Sequence, residues 1–162
     1  LKLDDNTFEW VNGLRQQYFP VEKNFLPAHV TLFHALPGEH LDVIQARLAQ
    51  LCRETPQLSL HFPTLRFLGQ GVAIELHCPD LVQLRQALVI EWQDWLTAQD
   101  RHTIRPHITI QNKVTPDAAR QTYDVLQQNW RSRSGHGEGL LLWSYQGGPW
   151  KFLDEFLFYP PS

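Results

Sequence analysis

The chain has 162 residues, 43% of them hydrophobic and 12% aromatic, with six Trp and nine Phe, which are the proportions of a packed globule and exclude a disordered or fibrous protein. A formal charge of −3 with no Lys/Arg run excludes a grip on long duplex nucleic acid, which needs many cationic phosphate contacts. Two cysteines without CxxC spacing, Cys52 and Cys78, suggest neither a disulfide framework nor a thiolate zinc site, and the absence of an apolar run of ~18 residues or a signal-like start predicts a cytoplasmic protein with no membrane association.

In chain order, Leu1 to Leu3 reads as the tail of a strand, and Asp4 to Thr7 supplies cap-type residues for a helix over Phe8 to Tyr18, where Trp10, Val11, Leu14 and Tyr18 recur at helical spacing. A loop from Pro20 to Pro27 leads into a predicted strand from His29 to Ala35. Leu41, Ile44, Leu48 and Leu51 mark a second helix ending near Arg53. The extended runs Leu58 to Leu68 and Val72 to His77 meet at Gly69-Gln70-Gly71 and read as a hairpin.

From Pro79 the order repeats. Leu81, Leu84, Leu88, Trp92 and Trp95 predict a helix, Ala98 to Thr103 a loop, and the run beginning at His107 a strand. Pro116-Asp117 opens a helix carrying Ala119, Tyr123, Leu126 and Trp130. The polar stretch Arg131 to Gly139 reads as a mobile loop. Leu140 to Gln146 and Trp150 to Tyr159, joined at Gly147-Gly148, read as a closing hairpin.

Two short stretches carry the chemistry. Pro27-Ala28-His29-Val30-Thr31-Leu32 and Arg105-Pro106-His107-Ile108-Thr109-Ile110 each place a histidine and a threonine two residues apart, so that in an extended chain both side chains leave by one face. About 0.4 His-x-Thr matches are expected by chance in such a chain. These two stand at equivalent places of a repeat, since 107 − 29 = 78 and the hairpin glycines Gly69 and Gly147 keep the same offset. The prediction is an α+β fold of one domain over 1–162, with halves of roughly 1–78 and 79–162. They form two pseudo-symmetric lobes of antiparallel-dominated sheet, with outer helices, around a central groove where His29, Thr31, His107 and Thr109 converge.

The paired motifs resemble the His-x-Thr signatures of the two-histidine phosphoesterase superfamily, in particular its 2′-5′ RNA ligase and cyclic phosphodiesterase branch. That resemblance covers nearly the whole chain. It implies a bilobal fold and metal-independent hydrolysis of 2′,3′-cyclic phosphates or 2′-5′ linkages at nucleotide or RNA ends, with a reverse ligase reaction, no cofactor and a role in RNA processing. The residue types suit the task, because a base, an acid and hydrogen-bond donors for phosphoryl oxygens are what two imidazoles and two hydroxyls supply. Near-symmetry leaves open which histidine is the base.

Arg105 shares the parity of His107 and is a candidate phosphate ligand, while Phe67 and Tyr145, at the same 78-residue offset, are candidate base-stacking residues. A metal site of His29, His34 and His40 is disfavoured by strand parity and the lack of a carboxylate partner, so no metal is expected. A monomer is expected, and the rival readings are a nucleotide or RNA-end binding module without turnover and a zinc-dependent hydrolase.

Overall fold

The computed structural model describes residues 1–160. Its elements in chain order are β1 (Lys2–Leu3), α1 (Asp5–Tyr18), α2 (Leu41–Arg53), β2 (Leu58–Phe62), β3 (Leu65–Phe67), β4 (Val72–Glu75), α3 (Pro79–Trp92), α4 (Ala98–Arg101), β5 (His107–Gln111), α5 (Pro116–Gln128), β6 (Arg133–Tyr145) and β7 (Trp150–Leu157). They form two antiparallel sheets. In one, β6 is central, with β1 along one edge and β2 followed by β7 along the other; the second has the order β3-β4-β5. His61 and His77 exchange backbone hydrogen bonds of 3.1 and 2.8 Å and so tie β2 to the chain leaving β4.

The helices follow from capping and amphipathicity. Asp4 accepts the Thr7 amide at 3.0 Å as the N-cap of α1, and its other carboxylate oxygen takes the His136 amide at 2.7 Å, pinning that helix end to β6. Thr115 caps α5 in the same manner, with Pro116 in the first turn. Ile44, Leu48 and Cys52 of α2 and Leu81, Leu84 and Leu88 of α3 are buried in one continuous core with Leu58, Leu60 and Phe62 of β2.

Five expectations fail. Arg133 to Gly139, expected to be a loop, is the first half of the longest strand. Its polarity misleads because Gly135, Gly137 and Gly139 serve close packing: a Cβ at Gly135 would stand 2.1 Å from Thr7 Oγ1, so only glycine lets α1 lie this near the sheet. The run Leu58 to Leu68 is not one strand but two, β2 and β3, divided at Pro63-Thr64 and assigned to different sheets. The helix expected through Trp95 ends at Trp92, and the loop from Ala98 contains the short α4.

The fifth failure matters most for function. Residues 29–35 form no strand; the segment is extended, with Ala28, Val30 and Leu32 buried and His29 and Thr31 facing out, but it joins no ladder. Side chains satisfy its backbone instead. Asn12 Oδ1 accepts the Ala28 amide at 2.9 Å, and Arg85 Nε donates to the Leu32 carbonyl at 2.7 Å. The Asp100 carboxylate accepts the amides of both His34 and Ala35 at 2.9 Å. Arg85 and Asp100 are 1% and 0% exposed, and the guanidinium also holds the carbonyls of Asp100 and His102. Arg85→Met should therefore leave three carbonyls without their donor and cost about 3 kcal/mol or more in urea unfolding; a loss under ~1 kcal/mol would refute this anchoring role.

Candidate active site

Helix α1 brings the two motifs together. One turn beyond Asn12, which holds the first motif at Ala28, Arg15 donates from Nη1 to the Thr109 carbonyl at 2.9 Å and from Nε to Asn24 at 2.9 Å. Arg15 is 5% exposed, so this tie is internal to the fold. The second motif lies on β5, where Ile108 and Ile110 are fully buried and His107 and Thr109 are half-buried on the other face, as the alternation predicts.

The imidazoles are held alike despite the difference in backbone. His29 Nδ1 lies 2.8 Å from the Pro27 carbonyl, and His107 Nδ1 lies 3.0 Å from the Arg105 carbonyl, in each case two residues upstream. A carbonyl only accepts, so the contact at His29 calls for Nδ1–H and the one at His107 favours it, and in both rings Nε2 is the atom left to exchange a proton with a bound molecule. Burial pushes the pKa of His29 below the ordinary histidine value against the pull of the Pro27 carbonyl, and the charges of Arg15 and His107 act in the same downward direction. Burial and these charges all disfavour the charged form of His29.

His107 has a neighbour that His29 lacks. On the face shared with β3 and β4, the ladder sets Glu75 opposite His107 and Ala73 opposite both Thr109 and Arg66. Arg66 grips Glu75 with two hydrogen bonds of 2.6 and 2.9 Å, donates to the Arg105 carbonyl at 3.2 Å, and brings Nη1 to 3.1 Å from His107 Nδ1. A guanidinium only donates. Nδ1 of His107 thus faces one acceptor and one donor, and its tautomer is decided between them. Hydrogen bonding to Arg66 and then its charge hold the Glu75 carboxyl below the usual range, with Arg105 adding to the effect.

The remaining candidates fall into place differently. Arg105 is exposed beside His107, its Nη2 3.3 Å from Glu75. Tyr145 lines a cavity with His29 and Thr31 and is 61% exposed. Phe67 is not brought to the histidines. It points to the opposite face of its sheet, edge-on to Tyr123 at 5.9 Å with the Arg120 guanidinium 3.8 Å from its ring centre. Its offset from Tyr145 misled because the 78-residue repeat preserves order, while α5 covers that face here. His34 is held by Asp100 at 3.1 Å and His40 stacks on Trp95 at 4.0 Å, and no group of three His, Cys, Asp or Glu among the described residues is placed to hold a metal ion.

Arg66 and Glu75 escaped the sequence reading. Their signal was present: Leu-Arg-Phe and Val-Ala-Ile-Glu each set a single charge in an otherwise apolar strand, and two such charges facing across a tight hairpin form a pair.

With this geometry in view, the comparisons are consistent. The model of the 2′-5′ RNA ligase superfamily matches residues 3–149. The chain belongs to that superfamily. Among solved structures, TT0787 of Thermus thermophilus is similar over 96% of this chain and 93% of its own, with a TM-score of 0.66 at 15% identity, which shows a shared fold. Curated proteins give no match.

Two outcomes check the Arg66 arrangement. In Arg66→Met the only partner left for His107 Nδ1 is the Arg105 carbonyl, so ¹⁵N spectra of the imidazole should show the Nδ1–H tautomer alone; an unchanged pattern would refute the competition. Because the Glu75 pKa is lowered on folding, the pair stabilises the fold fully above the ordinary carboxylate pKa of about 4.3, and that contribution disappears as pH falls through the lowered value. The stability difference between wild type and Arg66→Met, about 1 kcal/mol at pH 7, should accordingly shrink below pH ~4.

Proposed function

We propose that this protein is a phosphodiesterase that opens 2′,3′-cyclic phosphates or cleaves 2′-5′ linkages at nucleotide or RNA ends, without a metal ion. The observation that carries the reading is the matched pair of Nδ1-to-carbonyl contacts, which leaves two imidazole Nε2 atoms for proton transfer in a chain of this superfamily. In the proposed reaction His29, kept neutral by its burial, takes a proton from water through Nε2 as the water oxygen attacks phosphorus. The bond from phosphorus to the departing ester oxygen breaks, and that oxygen receives a proton from Nε2 of His107. Thr31 and Thr109 donate to the non-bridging oxygens, fixing the phosphate in line between the rings. Run in reverse with an RNA 5′-hydroxyl, the same groups make a 2′-5′ bond. The chain acts in this reading as one bilobal domain, with Arg105 and Tyr145 contacting the substrate and Phe67 left to pack the fold.

The test is hydrolysis of the four nucleoside 2′,3′-cyclic phosphates in excess chelator. His29→Ala and His107→Ala should each lose ~10²-fold or more in kcat/KM. The acid limb of the wild-type profile should lie below pH 6.5, since the essential neutral form of His29 persists there. Full activity in either variant would refute the mechanism, and saturable binding with no turnover by wild type would favour a binding module.

A further inference from the structure

The two motifs differ in what lies beside them. By the 78-residue offset, Trp150 to Leu153 corresponds to Val72 to Glu75, and His29 to Phe33 corresponds to His107 to Gln111. Val72 to Glu75 and His107 to Gln111 are closed together by the β4–β5 ladder. Their counterparts are not paired, and residues of both line a cavity of about 1040 Å³. His29 and Thr31 stand in its wall, so a phosphate held by the first motif borders it.

Beyond that edge the lining is mostly apolar, with Lys2, Asp5, His34 and Ser144 its other polar side chains. Leu36, Leu41, Leu88 and Trp92 line it, and Tyr145 and Trp150 flank it with ring centres 4.9 Å apart and exposures of 61% and 39%. Large aromatic side chains left exposed beside an apolar cavity mark a binding surface. The single Lys or Arg in the lining, Lys2, is engaged by Glu138 at 3.0 Å and Glu155 at 3.8 Å, and the His34 ring is held by Asp100. A nucleic-acid backbone laid here would find no cation to replace its counterions. A nucleobase would find few groups to pair with its polar edge, and unpaired polar atoms are costly to bury. The His107 side is the opposite, with Arg66 and Arg105 around Glu75.

We propose that the substrate is a phosphodiester with one long alkyl ester arm that occupies this cavity while its phosphate lies between His29 and His107. This rests on the phosphodiester-cleaving chemistry proposed above and departs from that reading in the ester arm, which is apolar in place of a nucleoside. The volume stands at the upper end of the ~300–1,000 Å³ typical of small-molecule sites, which suits a long arm better than a single base.

The test uses 4-nitrophenyl phosphodiesters whose second ester is methyl, butyl or octyl, each below its micelle concentration. Water adds to phosphorus, 4-nitrophenolate departs and is read by absorbance, and the alkyl phosphate is the other product. In wild type kcat/KM should rise at least ~10-fold from methyl to octyl, and the octyl-to-methyl ratio should collapse toward one in the Tyr145→Ser/Trp150→Ser double variant, both sites being at the surface. A flat series, a ratio kept in the variant, or an RNA dinucleotide preferred over the octyl ester would overturn the proposal. Calorimetric binding of octyl and methyl phosphate to His29→Ala protein separates the two claims. Octyl phosphate bound at least ~10-fold tighter with no wild-type turnover would retain the cavity and defeat the enzyme reading, while equal binding would defeat the cavity whatever the turnover.

Discussion

The fold depends on how an extended segment is held in place without a strand partner. Backbone amides and carbonyls that leave water must find partners. For residues 28–35 those partners are the side chains of Asn12, Arg85 and Asp100 and, at the Val30 carbonyl, the Leu1 nitrogen at 3.0 Å. Because Arg85 and Asp100 are buried, their bonds are neither exchanged with water nor screened by salt. The segment is thus tied at both ends and in the middle, yet it leaves open the flank that a ladder would close. His29 owes both its orientation and its neighbouring cavity to this arrangement.

Two nearly identical sequence motifs consequently stand in different surroundings. His107 is on a true strand, its ring between the Arg105 carbonyl and an Arg66 guanidinium that Glu75 pins in place. His29 has the carbonyl contact alone, and burial disfavours its charged form. Acid–base chemistry at one pH requires two histidines in different protonation states. The shared Nδ1 contact orients both rings alike, and the unshared neighbours make them inequivalent. Helix α1 couples the two sides, holding Ala28 through Asn12 and Thr109 through Arg15.

Much of this was legible in the sequence, for reasons that can be named. His-x-Thr spacing fixes which side chains share a face of any extended chain, whether or not it is hydrogen-bonded, so the outward aspect of His29 and Thr31 survived the loss of the expected strand. Apolar periodicity located α1, α2, α3 and α5 because each buries one stripe. The ladder itself was not legible, since pairing depends on where other chain segments arrive, and Arg85 and Asp100 lie 53 and 66 residues from the atoms they satisfy. Gly135, Gly137 and Gly139 read as loop because the packing of Thr7, Leu1 and the Phe156 backbone against them is tertiary. Phe67 read as a groove residue because an offset carries order along the chain but not what covers each face.

The central claim is that His29 and His107 act as one unit on a single phosphate, and the most direct measurement is a double-mutant cycle. kcat/KM for a 2′,3′-cyclic phosphate would be determined for His29→Ala, His107→Ala and the double variant. Residues that act in one concerted transfer are strongly non-additive, so the double variant should lose no more than about tenfold beyond the worse single. Losses that multiply fully, with each histidine contributing regardless of the other, would contradict the account.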